Sequence, residues 1–216
     1  MLHLQTLHNH LNLTDAFNIA VFAAACIAFW SCFHLGELLI DSAFDPALHI
    51  SQSTKFKQGI ASNNYCYISF HIPHTKTKPS GDDIHLTDSS CSCSPVTAFL
   101  HHLHSNTNIL DETPLFSFET AAWSWSPLLC SWFMDHCNAI WSSAGLGSVK
   151  GHRFWIGGAT FLLMLGINPR AMELSSISYI LETMWRDFAS IHWSWIESHT
   201  SILSTMTCFK EHLLAN

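Results

Sequence analysis

The sequence predicts an α+β domain. Three observations carry this reading: an uncharged apolar segment near the start, a strand–turn–strand pattern in the middle, and helix-length segments punctuated by Pro and Gly afterwards. With 216 residues, 48% of them hydrophobic and 12% charged, the chain has the size of one domain and is too apolar to stay disordered.

Residues 1–13 read as a short N-terminal arm. Thr14 and Asp15 each offer a side-chain oxygen to the orphan amides of a helix running from Ala16 to about Phe33. That helix is apolar nearly all round, so it belongs in the centre of the domain. Its uncharged part, Ile19 to Phe33, has 15 residues, short of the roughly 20 that cross a bilayer, so a core helix and no membrane partner is expected. Pro46 and His49–Ser53 read as a turn into a short strand. Asn63 and Asn64 precede Tyr65–Ile72, whose β-branched and aromatic residues favour a strand, and Pro73 ends it. Thr75–Asp82 is a polar turn and Asp83–Leu86 the returning strand. Pro95 suits the first turn of a helix reaching His104. Everything beyond reads as helical: from Pro127 to about Ala144, closed by Gly145 and Gly147; from His152 through Leu165 to Gly166; and from near Ser178. Residues 191–216 read as a helical tail.

Nine Lys and Arg against 16 Asp and Glu give a formal charge of −7, the wrong sign for a strong basic field. The 16 His temper this, because their full protonation would carry −7 to +9. Eight Cys without a regular framework are expected to be reduced and mostly buried, as in an intracellular protein, and the first residues carry no secretory signal pattern. Cys91 and Cys93 with His101, His102 and His104 could ligate zinc, but the spacing is not that of paired knuckles, so no metal is expected. The Trp residues, among them Trp123, Trp125, Trp132, Trp141, Trp193 and Trp195, could stack on bases; packing is the better default where basic residues are scarce. The hydrolase elbow, the P-loop and the dinucleotide-binding glycine fingerprint are missing, and no cofactor is expected.

Three strings occur in a telling order: Phe29 to Leu38 (FWSCFHLGEL), Phe70 to Thr77 (FHIPHTKT) and Gly151 to Thr160 (GHRFWIGGAT). Phe44-Asp45-Pro46, Pro114-Leu115-Phe116 and Trp185-Arg186 accompany them. Over residues 14–190 the chain resembles the catalytic domain of tyrosine recombinases, the phage-integrase family, in the diverged branch carried by fungal mobile elements. The resemblance implies a mostly helical DNA breaking-rejoining fold with a small antiparallel hairpin or sheet. It implies double-stranded DNA as partner, self-association on that DNA, a nuclear location and no metal. In that family a tyrosine attacks the phosphodiester, two arginines neutralise the phosphate oxygens, a hairpin lysine protonates the leaving oxygen and a histidine assists.

Carried over residue by residue, the pattern is incomplete. The first arginine position is His34, which lacks the bidentate fork. Lys76 fits the hairpin lysine, with Lys78 as the nearby alternative. His152 fits the family histidine, while the second arginine position is Trp155. Arg153 stands two residues away from it, about 200° round a helix, which makes it a poor substitute. The nucleophile position is Met184, which has no oxygen to attack with. Tyr179, five residues upstream, is more than a helical turn away. The resemblance therefore implies DNA integration and recombination as the inherited function, with impaired strand breakage. The alternatives are a noncatalytic DNA-binding remnant and a helical interaction domain. If DNA is bound, protonated imidazoles should make binding tighter at pH 6 than at pH 8.

Overall fold

Residues 1–13 are more than an arm. In the computed structural model, which describes residues 1–164 apart from 42, 61–63, 77, 90 and 122–123, helix α1 (Leu2–His10) buries Leu4 and Leu7. The Trp141 indole N–H donates to the His3 carbonyl oxygen at 3.0 Å and pins this helix to the domain.

Asp15 caps α2 (Ala16–Trp30), its carboxylate accepting from the Asn18 N–H at 2.9 Å. Every residue from Ile19 to Phe29 is buried, so the all-round apolar pattern does mark the central helix. It ends three residues before the expected Phe33, because Cys32 takes a left-handed φ of +52° that no helix continues. One helical turn, α3 (Leu35–Leu38), follows.

Strands β1 (Lys57–Ile60), β2 (Cys66–Ile72) and β3 (Asp82–Thr87) form an antiparallel sheet in the order β1-β2-β3. Opposing pairs Ile68–Leu86 and Phe70–Ile84 fix the register and bury one face. The hairpin closes at Gly81, whose φ of +81° and closeness to the Ile72 carbonyl leave no room for a side chain. The first strand is not the expected His49–Ser53, where Ser51 makes only an isolated bridge to Pro114. Strand β1 carries one apolar residue, Ile60, and that one is exposed; it exists through pairing with β2, which periodicity does not display.

Ser94 caps α4 (Pro95–Ser105), with Pro95 in its first turn. Phe99 of α4 stacks on Phe70 at 5.3 Å and seats the helix beneath the sheet. The helical expectation after this point needs correction. Strands β4 (Ser117–Ala121) and β5 (Ser124–Pro127) make a second antiparallel pair, in which Pro127 lies opposite Ser117 instead of opening a helix. Helix α5 (Cys130–Ser143) therefore starts three residues late, and α6 (His152–Met164) follows.

Two compact units, Met1–Gly158 and Ala159–Asn216, make up the chain. Of the second, the described part is the end of α6; the helix expected from Ser178 and the tail at 191–216 lie outside the described residues. Among the described residues no helix is long and apolar enough to cross a membrane.

Candidate functional site

At the end of α2 the chain turns and His34 becomes the residue that precedes α3. The Glu37 N–H donates to the His34 carbonyl at 3.0 Å, and the Glu37 carboxylate accepts from the His34 N–H, also at 3.0 Å. This reciprocal bonding fixes the start of α3. The second carboxylate oxygen of Glu37 accepts from the Lys76 N–H at 3.0 Å. One side chain thus ties the position after α2 to the tip of the β2–β3 hairpin.

The same hairpin separates the two candidate lysines. Lys78 forms an ion pair with Asp82 at 3.0 Å, and its N–H donates to the buried Thr75 hydroxyl at 3.0 Å. Lys76 is exposed, and its ammonium has no partner among the described residues. Of the two lysines, Lys76 is the one whose ammonium is not engaged in an ion pair among the described residues.

Helix α6 approaches this place from the other side. A Cβ at Gly158 would overlap the Phe29 carbonyl oxygen, so glycine is what allows α6 to lie against the end of α2. Gly157 faces the Phe29 ring, which would come 3.4 Å from a Cβ there. Packed this closely, α6 buries Trp155 and lays its indole on the His34 imidazole, with ring centres 5.4 Å apart and planes 19° from parallel. Phe154 turns to Phe133 and Trp141. His152 is exposed at the start of the helix. Arg153 is exposed beside a cavity shared with His3, Trp141 and Ile156, whereas Trp155 does not line that cavity. The guanidinium and the indole thus leave α6 in different directions, as the 200° rotation requires.

His34 and Trp155 therefore meet, Lys76 is joined to His34 through Glu37, and Arg153 serves another surface. Met184, Tyr179 and Trp185-Arg186 lie outside the described residues. The assembled groups can contact an anion through Lys76 and an imidazole N–H. They hold no guanidinium fork, and none of His34, Lys76, His152, Arg153 and Trp155 supplies an oxygen nucleophile. Burial pushes the Cys93 thiol up to about 11 and the Cys32 thiol up to about 12, so these two do not substitute. Among the described residues all seven cysteines are unpaired.

The weighed zinc set also comes apart. His102 is fully buried, donates from Nε2 to the Leu115 carbonyl at 3.0 Å and accepts at Nδ1 from the Asn106 side chain at 3.1 Å, so neither ring nitrogen is left for a metal. No group of three or more ligating side chains converges among the described residues. Trp30 and Trp141 spend their indole N–H groups on the carbonyls of Cys93 and His3 and are packing residues.

Sequence reading did not single out Glu37 as a site residue. Its place three residues after His34 has capping-box spacing, and that signal was available; its bond to Lys76 depends on the tertiary fold. No protein-family model and no curated protein matches the chain. Among solved structures it is similar to the protein of the Flpe–Holliday junction complex, with a TM-score of 0.50 and 13% identity over 76% of this chain and 40% of that one. At this identity the likeness is one of fold. The chain spans two fifths of that protein's length.

Proposed function

We propose that this chain is a tyrosine-recombinase-like DNA-binding protein of DNA recombination, of the fungal mobile-element type, whose capacity for strand cleavage is impaired. The observation that carries the reading is the stack of His34 on Trp155. In the resemblance these are the two arginine positions, and here they lie side by side as an active site requires, but as two aromatic rings. Two guanidinium forks that would hold a phosphate are replaced by one weak donor and a hydrocarbon surface, which removes transition-state stabilisation worth orders of magnitude in rate. Lys76, held in place through Glu37 and otherwise unpaired, preserves a phosphate contact. The fold shared with the Flpe protein supports the same reading. Double-stranded DNA is the partner, copies of the chain meet on it, and the protein works in the nucleus.

A nicked duplex that traps a covalent protein–DNA link tests the loss of chemistry. No band resistant to denaturation is expected. A stable covalent adduct on a denaturing gel would overturn the impairment.

A further inference from the structure

Charge is spread unevenly along the chain. The segment 55–88, which holds β1, β2 and β3, has Lys55, Lys57, Lys76 and Lys78 against Asp82, Asp83 and Asp88. The other described residues have two basic side chains, Lys150 and Arg153, against eight acidic ones. The sheet and its hairpin are thus the part of a −7 chain that an anionic polymer can approach. Ile68, Phe70 and Ile72 bury one face of this sheet, so Tyr67, Ser69 and His71 lie on the other. Residues opposite one another across the strands share that second face and form three rows. Nearest the hairpin tip that carries Lys76 is His71–Asp83, next comes Lys57–Ser69–His85, and then Gly59–Tyr67–Thr87. Asp83, the acidic member of these rows, is met by His71 at 2.8 Å. Lys57 and His85 are exposed, and the Lys57 ammonium makes no ion pair among the described residues. Gly59 decides how Tyr67 lies. A Cβ there would come within 2.6 to 2.8 Å of the phenol oxygen and the ring carbons next to it, so the half-buried ring leans across β1 over the place a side chain would fill.

We propose that this face binds a single-stranded segment of DNA, with a base stacked on Tyr67 and backbone phosphates on Lys57 and His85. Resting on the DNA-binding reading, this contact adds an unpaired strand to the duplex met by Lys76. Lys57, His85 and the Ser69 hydroxyl place a cation and two further hydrogen-bond donors for phosphate oxygens in one row. The Tyr67 row stands roughly 7 Å further along the strands, so a base and a neighbouring phosphate are met together. An aromatic ring laid along a surface beside basic groups is how unpaired bases are held without sequence preference. A duplex keeps its base faces inside the stack and has none to lay on Tyr67.

The test uses the whole chain and a labelled oligothymidylate of about 12 nucleotides, followed by fluorescence anisotropy, with an abasic oligomer of the same length as the control that keeps the phosphates and lacks the bases. Saturable binding of the oligothymidylate is expected, with the abasic oligomer about tenfold weaker, the loss of one stacked base. Tyr67→Leu should weaken the oligothymidylate by a similar factor and leave the abasic oligomer and a duplex unchanged, while Tyr67→Phe should bind as the native chain does. Lys57→Ala should make the slope of log affinity against log salt shallower by about 0.7 for the single strand. Circular dichroism confirms that the variants fold; if one does not, the comparison of the two oligomers on the native chain still decides. No saturation by the oligothymidylate, equal binding of the two oligomers, or full affinity in a folded Tyr67→Leu would each overturn the proposal. A duplex titrated alongside separates the two readings: duplex binding without single-strand binding overturns this one alone, and binding of neither overturns both.

Discussion

His102 and His34 show how differently one residue type is used in two regions of this molecule. Around α4 the polar groups are spent on the fold: His102 bonds Leu115 and Asn106, stacks on Phe116 at 5.4 Å, and Asn106 in turn accepts from the Glu119 N–H at 3.0 Å. Around α3, the hairpin tip and α6, the backbone is fixed by Glu37 while Lys76 and His152 stay exposed and Lys76 stays unpaired. The first region is a satisfied interior and the second is a surface held ready. A count of 16 histidines cannot tell them apart; burial and bonding can.

The comparison breaks if substitutions in the α4 region alter DNA affinity, or if those at the hairpin tip alter stability. The largest effect is expected for His102→Ala, which removes the ring's bonds to the Leu115 carbonyl and the Asn106 amide and opens a cavity beside Phe116; urea unfolding should show a loss of about 3 kcal/mol, with DNA affinity unchanged. The same residue sets a pH dependence. Burial lowers its pKa to about 4 in the folded chain, against roughly 6.5 when unfolded. Between those values the unfolded state binds more protons, so stability falls as pH drops through this window, by up to about 3 kcal/mol, and levels off below pH 4. Thermal melts should show that slope in the native chain and lose its His102 part in His102→Gln.

Gly158→Ala comes next. The new methyl meets the Phe29 carbonyl, and forcing α6 away should cost about 2 kcal/mol and separate Trp155 from His34, seen as changed indole fluorescence. Glu37→Gln should cost about 1 kcal/mol, because its amide nitrogen must face one of two N–H donors, and it should loosen Lys76. The smallest effect on stability, within about 0.5 kcal/mol, belongs to the exposed Lys76→Ala. Its DNA affinity should fall, with the slope of log affinity against log salt shallower by about 0.9.

The parts of the fold that announced themselves are those whose signal is local. The Asp15 cap and the apolar run gave α2, the β-branched run gave β2, and Pro95 gave the start of α4. Strands β1, β4 and β5 stayed hidden because they are only four or five residues long and lack a clear alternation, β1 being largely exposed and β5 ending on Pro127. The site divides in the same way. Lys76, His34 and Trp155 could be placed by resemblance, and the 200° argument anticipated that Arg153 would leave α6 in another direction. Lys76 already fits the hairpin position in the sequence, with Lys78 beside it; what the tertiary contacts add is the Glu37 bond to the Lys76 N–H and the Asp82 ion pair on Lys78.

In the proposed reading, Lys76 holds a DNA phosphate beside His34 and Trp155. The most direct test is fluorescence anisotropy of a labelled duplex of about 30 base pairs, titrated at two salt concentrations and at pH 6 and pH 8. Binding that weakens with salt, tightens at pH 6 and is diminished by Lys76→Ala is the predicted result. No binding at low salt and pH 6 would contradict the account and leave only the fold in common.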